Sequence, residues 1–137
     1  MDDQQVLIRE PNDLSEIARF QEICKSIGAP KSLATICKSD RINGLLAVSS
    51  EGEILGGVSY FVYPTKPTVD IEILAVDSNH QRRGVGSVLI QHLYDMLRVL
   101  GIRQLQVISL GTSEDFYLGH DFNYTNSSFP FMVKQLP

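Results

Sequence analysis

The chain has 137 residues, 43% of them hydrophobic and 20% charged, with a formal net charge of −4. That is enough for one domain around a single core, and no apolar run approaches the ~20 residues that cross a bilayer. The acidic balance argues against nucleic acid or an anionic membrane surface as the main partner.

At the start, "MDDQQVLIRE" lacks a basic stretch leading into an apolar block, so no signal peptide is expected and the chain is placed in the cytoplasm. "VLIRE" (6–10) reads as a short strand. "PNDLSEIARFQEICKSIG" (11–28) reads as a helix: Asn12 or Asp13 can cap it and Glu16 stands three residues after Asp13. Leu14, Ile17, Phe20, Cys24 and Ile27 form its apolar stripe, and Gly28 stops it. Residues 29–43 are irregular, with a short helix expected around Ser32–Cys37. Cys24 and Cys37 both sit in apolar-patterned segments and are expected to be buried free thiols rather than a disulfide.

"LLAVSSEGEILGGVSYFVY" holds two β-type runs joined by Ser-Ser-Glu-Gly-Glu, which predicts a hairpin. Pro64 and Pro67 break the chain before the strand "TVDIEILAV" (68–76). Residues 86–100 carry the clearest helical pattern, with Leu89, Leu93, Met96, Leu97 and Leu100 on one stripe and Gly101 at its end. "RQLQVIS" reads as a strand, "SEDFYLGH" as a short helix, and "FNY" with "FPFMVKQL" as closing β-structure. The order is β-α-β-β-β-α-β-α-β-β, an α/β arrangement of mixed sheet and helices in one domain over 1–137.

The stretch "NHQRRGVGSVL" (79–89) places two arginines and two glycines between a strand and a helix. Backbone N–H groups at a helix N-terminus can face an anion there, and Gly84 and Gly86 permit positive φ and close approach. On content alone, a capped turn with solvated arginines accounts for the same residues. A Walker loop is excluded because no lysine follows Gly86. A dinucleotide fingerprint fails too: Leu89 takes the third glycine's place, and seven residues separate Val76 from Gly84. The following strand also offers Gln104 and Gln106 but no acid for a ribose.

"QRRGVG" matches the Q/R-x-x-G-x-G/A motif, and the chain resembles the GCN5-related N-acetyltransferase (GNAT) superfamily. "DIEILAV", "SVLIQHLYDMLRVLG", "LQVIS" and "FYLGHDF" follow in that family's order, so the resemblance covers about residues 45–136, while 1–43 match only as a β-α start. It implies a mixed, mostly antiparallel sheet flanked by helices. It also implies an enzyme that moves acetyl from acetyl-CoA to a primary amine by direct attack. The pyrophosphate would lie on Gln81, Arg82, Arg83, Gly84, Val85, Gly86 and Ser87, and the thioester and pantetheine arm beside Leu74, Ala75 and Val76, where family members splay two strands.

Direct attack needs a neutral amine, a stabilised oxyanion and a proton for the departing thiolate. Tyr117 falls on the tyrosine of the family's "FYxxxGF" segment and is the candidate acid, since a phenol of pKa about 10 stays protonated at neutral pH. Asp70 and Glu72 are the candidate bases. Lying two apart on one strand, they nominally face the same way unless a bulge intervenes. They could instead neutralise Lys66 or Arg103 on a solvated face. Two acids in one cleft would attract a cationic substrate.

Where many members carry an asparagine, seven residues before the tyrosine, this chain has Leu110. Asp121 replaces a family glycine, and Gly119 lies two residues earlier. The acceptor therefore stays open: small metabolites or polyamines come first, an amino sugar phosphate second, a protein lysine or N-terminus third. Lys31, Lys38 and Arg41 could hold a substrate phosphate or form a solvated loop. A non-catalytic acyl-CoA sensor and a purely structural α/β domain remain as rivals from other classes. His80, His92 and His120 show no metal-ligand spacing, so no metal is expected; His92 is placed on a helix surface, and His120, close to Tyr117, in a loop ahead of an acceptor-side role. The apolar "FPFMV" could pair with a second copy, as dimers are common in that family.

Overall fold

The computed structural model describes residues 5–27, 42–63, 65, 67–81, 83–108, 114–124 and 131–136. Strands β1 (Val6–Arg9), β2 (Ile42–Ser49), β3 (Ile54–Val62), β4 (Thr68–Val76), β5 (Gln104–Ile108), β6 (Asn123–Tyr124) and β7 (Phe131–Gln135) form one seven-stranded sheet in the order β1-β2-β3-β4-β5-β7-β6. Every neighbouring pair is antiparallel except β4 with β5, which are parallel. Helices α1 (Leu14–Ser26), α2 (Val85–Val99) and α3 (Glu114–Leu118) complete the described fold, with a single 3-10 turn at Ser78–His80. The expected order of elements is thus observed, and the mixed, mostly antiparallel sheet with it. The helix expected around Ser32–Cys37 lies outside the described residues.

Each face of the sheet has its own core. On one face α1 lays Phe20, Ile23 and Cys24 against Leu46, Val48, Ile54, Ile73 and Ala75. On the other, α2 packs Val85, Leu89, Ile90, Leu93 and Leu97 on Leu45, Ala47, Val58, Val69, Ile71, Leu105 and Val107. A helix presents a stripe and a strand presents alternate residues, so β2 reads Leu45, Ala47 to one side and Leu46, Val48 to the other. Cys24 is the described cysteine, a buried free thiol whose pKa burial pushes up to about 12.

Both helical stripes are shorter than expected. Leu14, the first residue of α1, is 80% exposed and Ile27, its C-cap, 42%; Ile23 joins the buried set instead. Likewise Leu100 is exposed as the C-cap of α2, and Val85 and Ile90 join its core.

Local signals set the start of α1. The Asp13 carboxylate accepts from the Glu16 N–H at 3.0 Å, as an N-cap does. Glu16 then reaches back, accepting from the Asn12 N–H at 2.7 Å and from both terminal nitrogens of Arg9 at 2.8 and 2.7 Å. The hairpin turn closes where expected: the Ser49 hydroxyl accepts from the N–H groups of Glu51 and Glu53, and Gly52 takes φ +87°.

Candidate functional site

The site begins with an irregularity in β4. Ser59 of β3 pairs with Ile73 and Tyr60 with Ile71, so Glu72 is an extra residue on the β4 side. A bulge of this kind shifts the alternation of a strand by one. Its effect is visible in the packing: Val69 and Ile71 bury into the α2-side core, whereas Ile73 and Ala75 bury into the α1-side core. Leu74 and Val76 are thereby turned toward α2.

The bulge also marks where β4 leaves β5. Their parallel ladder runs from Thr68–Gln104 to Ile71–Val107 and goes no further among the described residues, although β4 continues to Val76. From Glu72 to Val76 the strand is bonded to β3 on one edge and presents its other edge without a ladder partner in β5. Leu74, Ala75 and Val76 lie on that stretch.

β4 runs on through Asp77 and the 3-10 turn into α2. The Asp77 carboxylate caps the turn, accepting from the Asn79 N–H at 3.3 Å, and pairs with Arg19 of α1 at 2.8 Å. Gln81 donates through Nε2 to the Val76 carbonyl at 3.0 Å, which pins the loop back onto the strand end. Gly84 is the N-cap of α2 with φ +83°, in the left-handed region that glycine adopts at little cost. Side chains at Gly86 would crowd Phe116, whose ring comes within 3.2 Å of where a Cβ would stand. The first turn of α2 therefore offers backbone N–H groups without an acidic side chain among them. Arg83 is exposed beside it, and Arg82 lies outside the described residues.

α3 closes the third side. Tyr117 is 4% exposed, with its ring edge-on to Phe116 and Phe122 at 5.2 Å each. Burial raises its phenol pKa, so the proton is held firmly at neutral pH. Phe116 rests against Gly86 and close to Leu74, so β4, the first turn of α2 and α3 converge on one region. Asp121 adopts φ +67°, the left-handed backbone that the family's glycine would take without strain.

The two carboxylates are not equivalent. Asp70 accepts from the Tyr63 hydroxyl on one oxygen and from the Gln106 amide at 2.5 Å on the other. The hydrogen bond to Asp70 pushes the Tyr63 phenol up to about 12. Glu72 is half-buried, and burial first, then the charge of Asp70, raise its carboxyl above the usual range. Asp70 is engaged by Tyr63 and Gln106; of the alternative partners, Lys66 lies outside the described residues, and Arg103 forms no ion pair with either acid among the described residues. On β3, opposite the bulge, the Ser59 hydroxyl is buried with no hydrogen-bond partner.

Sequence reading missed Tyr63 and Gln106 and gave His120 a site role only as the second choice. Tyr63 and Gln106 come to Asp70 from β3's end and from β5, 7 and 36 residues away. His120, expected in a loop, is half-buried with Nε2 3.0 Å from the Ser87 hydroxyl. His92 is on the exposed face of α2 as expected. His80 is less isolated than its spacing implied: with Glu53 and Asp77 it brings three ligand-type atoms within 4.8 Å of one another. There the Asp77 carboxylate is already paired with Arg19, and His80 Nε2 lies 3.4 Å from Glu53. Leu110, Lys31, Lys38 and Arg41 lie outside the described residues, as do Phe129 and Pro130 of "FPFMV", whose last three residues belong to β7 beside β5 and β6. Among the described residues no helix is long and apolar enough to cross a membrane.

Comparison with known proteins identifies the family and the fold. The family model described as Acetyltransferase (GNAT) family matches residues 12–119. The uncharacterized protein YdhI of Bacillus subtilis is 24% identical over 106 residues, which are 76% of this chain and 64% of that protein. Among solved structures, GCN5 of Tetrahymena superposes with a TM-score of 0.80 at 15% identity, covering 99% of this chain and 97% of that one. The GNAT family N-acetyltransferase YhbS of Escherichia coli, in complex with CoA, gives a TM-score of 0.80 at 17% identity, covering 100% and 84%.

Proposed function

The chain belongs to the GNAT acetyltransferase family, and from that premise we propose that it transfers acetyl from acetyl-CoA to a primary amine by direct attack, as one N-acetyltransferase domain over residues 1–137. The observation that carries this reading is the convergence of the unladdered edge of β4, the first turn of α2 and the buried Tyr117 on one region. The fit to a CoA-sized donor follows from the parts. The left-handed Gly84, with open space where a Cβ would stand, leaves room for a pyrophosphate at the α2 N–H groups, with Gln81, Arg83, Val85, Gly86 and Ser87 of the same loop and first turn as its partners and Arg82 as a further one from the motif. The β4 edge at Leu74, Ala75 and Val76 offers backbone partners to a pantetheine arm, and YhbS, of the same fold, holds CoA in its structure.

Within this reading each acid has its own task. Glu72, raised by burial and by Asp70, is the base that takes the proton from the incoming ammonium. Asp70, with both oxygens held by Tyr63 and Gln106, is a fixed negative charge that draws a cationic acceptor. The neutral amine nitrogen bonds to the thioester carbon, the C–S bond breaks and Tyr117 supplies a proton to the sulfur; the nitrogen's remaining excess proton leaves to solvent as the amide forms, and solvent returns a proton to Tyr117. The acceptor is a small-molecule amine, with polyamines leading; amino sugar phosphates and protein lysines or N-termini follow.

A panel of these amines, assayed for CoA release, tests the reading. The expected result is release with at least one small cationic amine, and a kcat about ten- to a hundredfold lower for Tyr117→Phe. CoA binding without release for any amine would make the chain a sensor. Unchanged turnover in Tyr117→Phe would remove that residue from the chemistry.

A further inference from the structure

His120 has no task in the reaction above, yet its surroundings hold it against the cofactor loop. It follows α3 in the chain, 33 residues from Ser87, and its Nε2 stands 3.0 Å from the Ser87 Oγ. Its own backbone N–H donates to the Tyr117 carbonyl at 3.0 Å, and its carbonyl accepts from the Lys134 ammonium at 2.7 Å. The imidazole lies 4.7 Å from the Phe116 ring, which itself rests on Gly86. The backbone of His120 is therefore tied on both sides, and its ring packs on Phe116 with Nε2 toward Ser87.

Charge and tautomer decide what this contact does. The groups facing His120 are Ser87 from α2, Phe116 and Asp121 from its own segment, and Lys134 from β7, whose ammonium sits 4.6 Å from the Tyr94 ring of α2. Burial, then the Lys134 charge, hold His120 below its ordinary pKa, so the ring is neutral at neutral pH. A neutral imidazole carries one N–H. With that proton on Nε2, the Ser87 oxygen is the acceptor and its own O–H points away from the ring. Left alone, a helical serine turns its hydroxyl back onto the carbonyl three or four residues earlier; a donor at this position holds the oxygen on the side that faces α3.

We propose that His120 is a positioning residue for the acyl donor: through Nε2–H it holds the Ser87 hydroxyl as a hydrogen-bond donor to the pyrophosphate of coenzyme A at the first turn of α2. This rests on the acetyl-CoA reading above. It adds a specific side-chain donor to the backbone groups there, and it requires the neutral ring to carry its proton on Nε2.

The test is titration calorimetry of CoA against the unmodified chain, Ser87→Ala, His120→Leu, His120→Gln and the double variant Ser87→Ala/His120→Leu, with melting curves confirming that each is folded. Dephospho-CoA, which keeps the pyrophosphate and lacks the 3′-phosphate, is the second ligand. Ser87→Ala and His120→Leu are each expected to raise Kd about tenfold, the size of one charge-assisted hydrogen bond. His120→Gln, which returns an amide N–H, recovers most of the loss. The double variant binds no more weakly than Ser87→Ala, both ligands behave alike, and in turnover the change falls on the KM for acetyl-CoA rather than on kcat. A His120→Leu protein that binds as well as the unmodified one, additive losses in the double variant, or an effect absent with dephospho-CoA would overturn the positioning role and leave the acetyl-CoA reading standing. An unmodified chain that binds neither ligand would overturn both.

Discussion

Asp70 and Glu72 share a strand, a formal charge and a neighbourhood, and still meet different environments. Asp70 has a donor on each oxygen, whereas Glu72 sits at the bulge, half-buried and next to the Asp70 charge. A carboxylate shifted upward in this way is a better base near neutral pH and a poorer contributor to stability. Glu72→Gln is therefore expected to lower kcat at least about a hundredfold and to remove the acidic limb of the kcat/KM profile. The same substitution raises Tm at neutral pH. The sign follows from linkage: with a folded pKa above the unfolded one, Glu72 favours folding below the unfolded value and loses that contribution as pH rises through the folded one. The gain in Tm should accordingly vanish in acid, where Glu72 is protonated in both states. A variant less stable at pH 7, or one with an unaltered pH profile, would show that Glu72 is not the base.

At the level of elements, β1 and α1 are joined by a clamp that the sequence pattern half announced. Glu16 was legible as the third residue after a capping Asp13, but its partner Arg9 was not, because a cap is a local signal and an ion pair between two elements is not. Arg9 is engaged on both terminal nitrogens, and together with the Asn12 N–H it depresses the Glu16 carboxyl to about 2. A depressed folded pKa contributes stability above the unfolded value near 4.3, and that contribution disappears as pH falls through the folded one. Glu16→Gln should thus cost about 1 kcal/mol at pH 7, and urea melts of the two proteins should converge between pH 4 and about 2. Divergence that persists at low pH would assign the loss to packing rather than charge. The helix stripes teach the same distinction between local and global: periodicity located α1 and α2, but not that Leu14 and Leu100 are left exposed at their ends.

Over the whole molecule, one extra residue at Glu72 has the widest consequences. It exchanges the faces of β4, puts Ile73 and Ala75 under α1, turns Leu74 and Val76 to α2, and coincides with the end of the β5 ladder. The β4 edge from Glu72 to Val76, which has no ladder partner among the described residues, is where the donor is proposed to lie. CoA binding should stabilise the fold as a unit: at 100 times its Kd the expected gain is about 2.7 kcal/mol, read as a rise in Tm. No shift with CoA at millimolar concentration would leave the loop as an ordinary turn.

The order of elements, the loop "QRRGVG" entering α2 and the segment around Tyr117 could be read from the sequence alone. Each is written in contiguous residues, through the periods of helix and strand and through turn residues that need particular backbone angles. What lay beyond that reading shares another property. The bulge at Glu72, the Tyr63 and Gln106 donors on Asp70, and the His120–Ser87 contact all depend on register between strands or on approach between distant segments. A one-residue offset in pairing leaves no mark in composition or period, yet it decides which side chains share a face. The sequence thus determined which parts this protein has and which family they resemble; the tertiary structure alone decided which of two acids is held by two donors and which histidine reaches the loop.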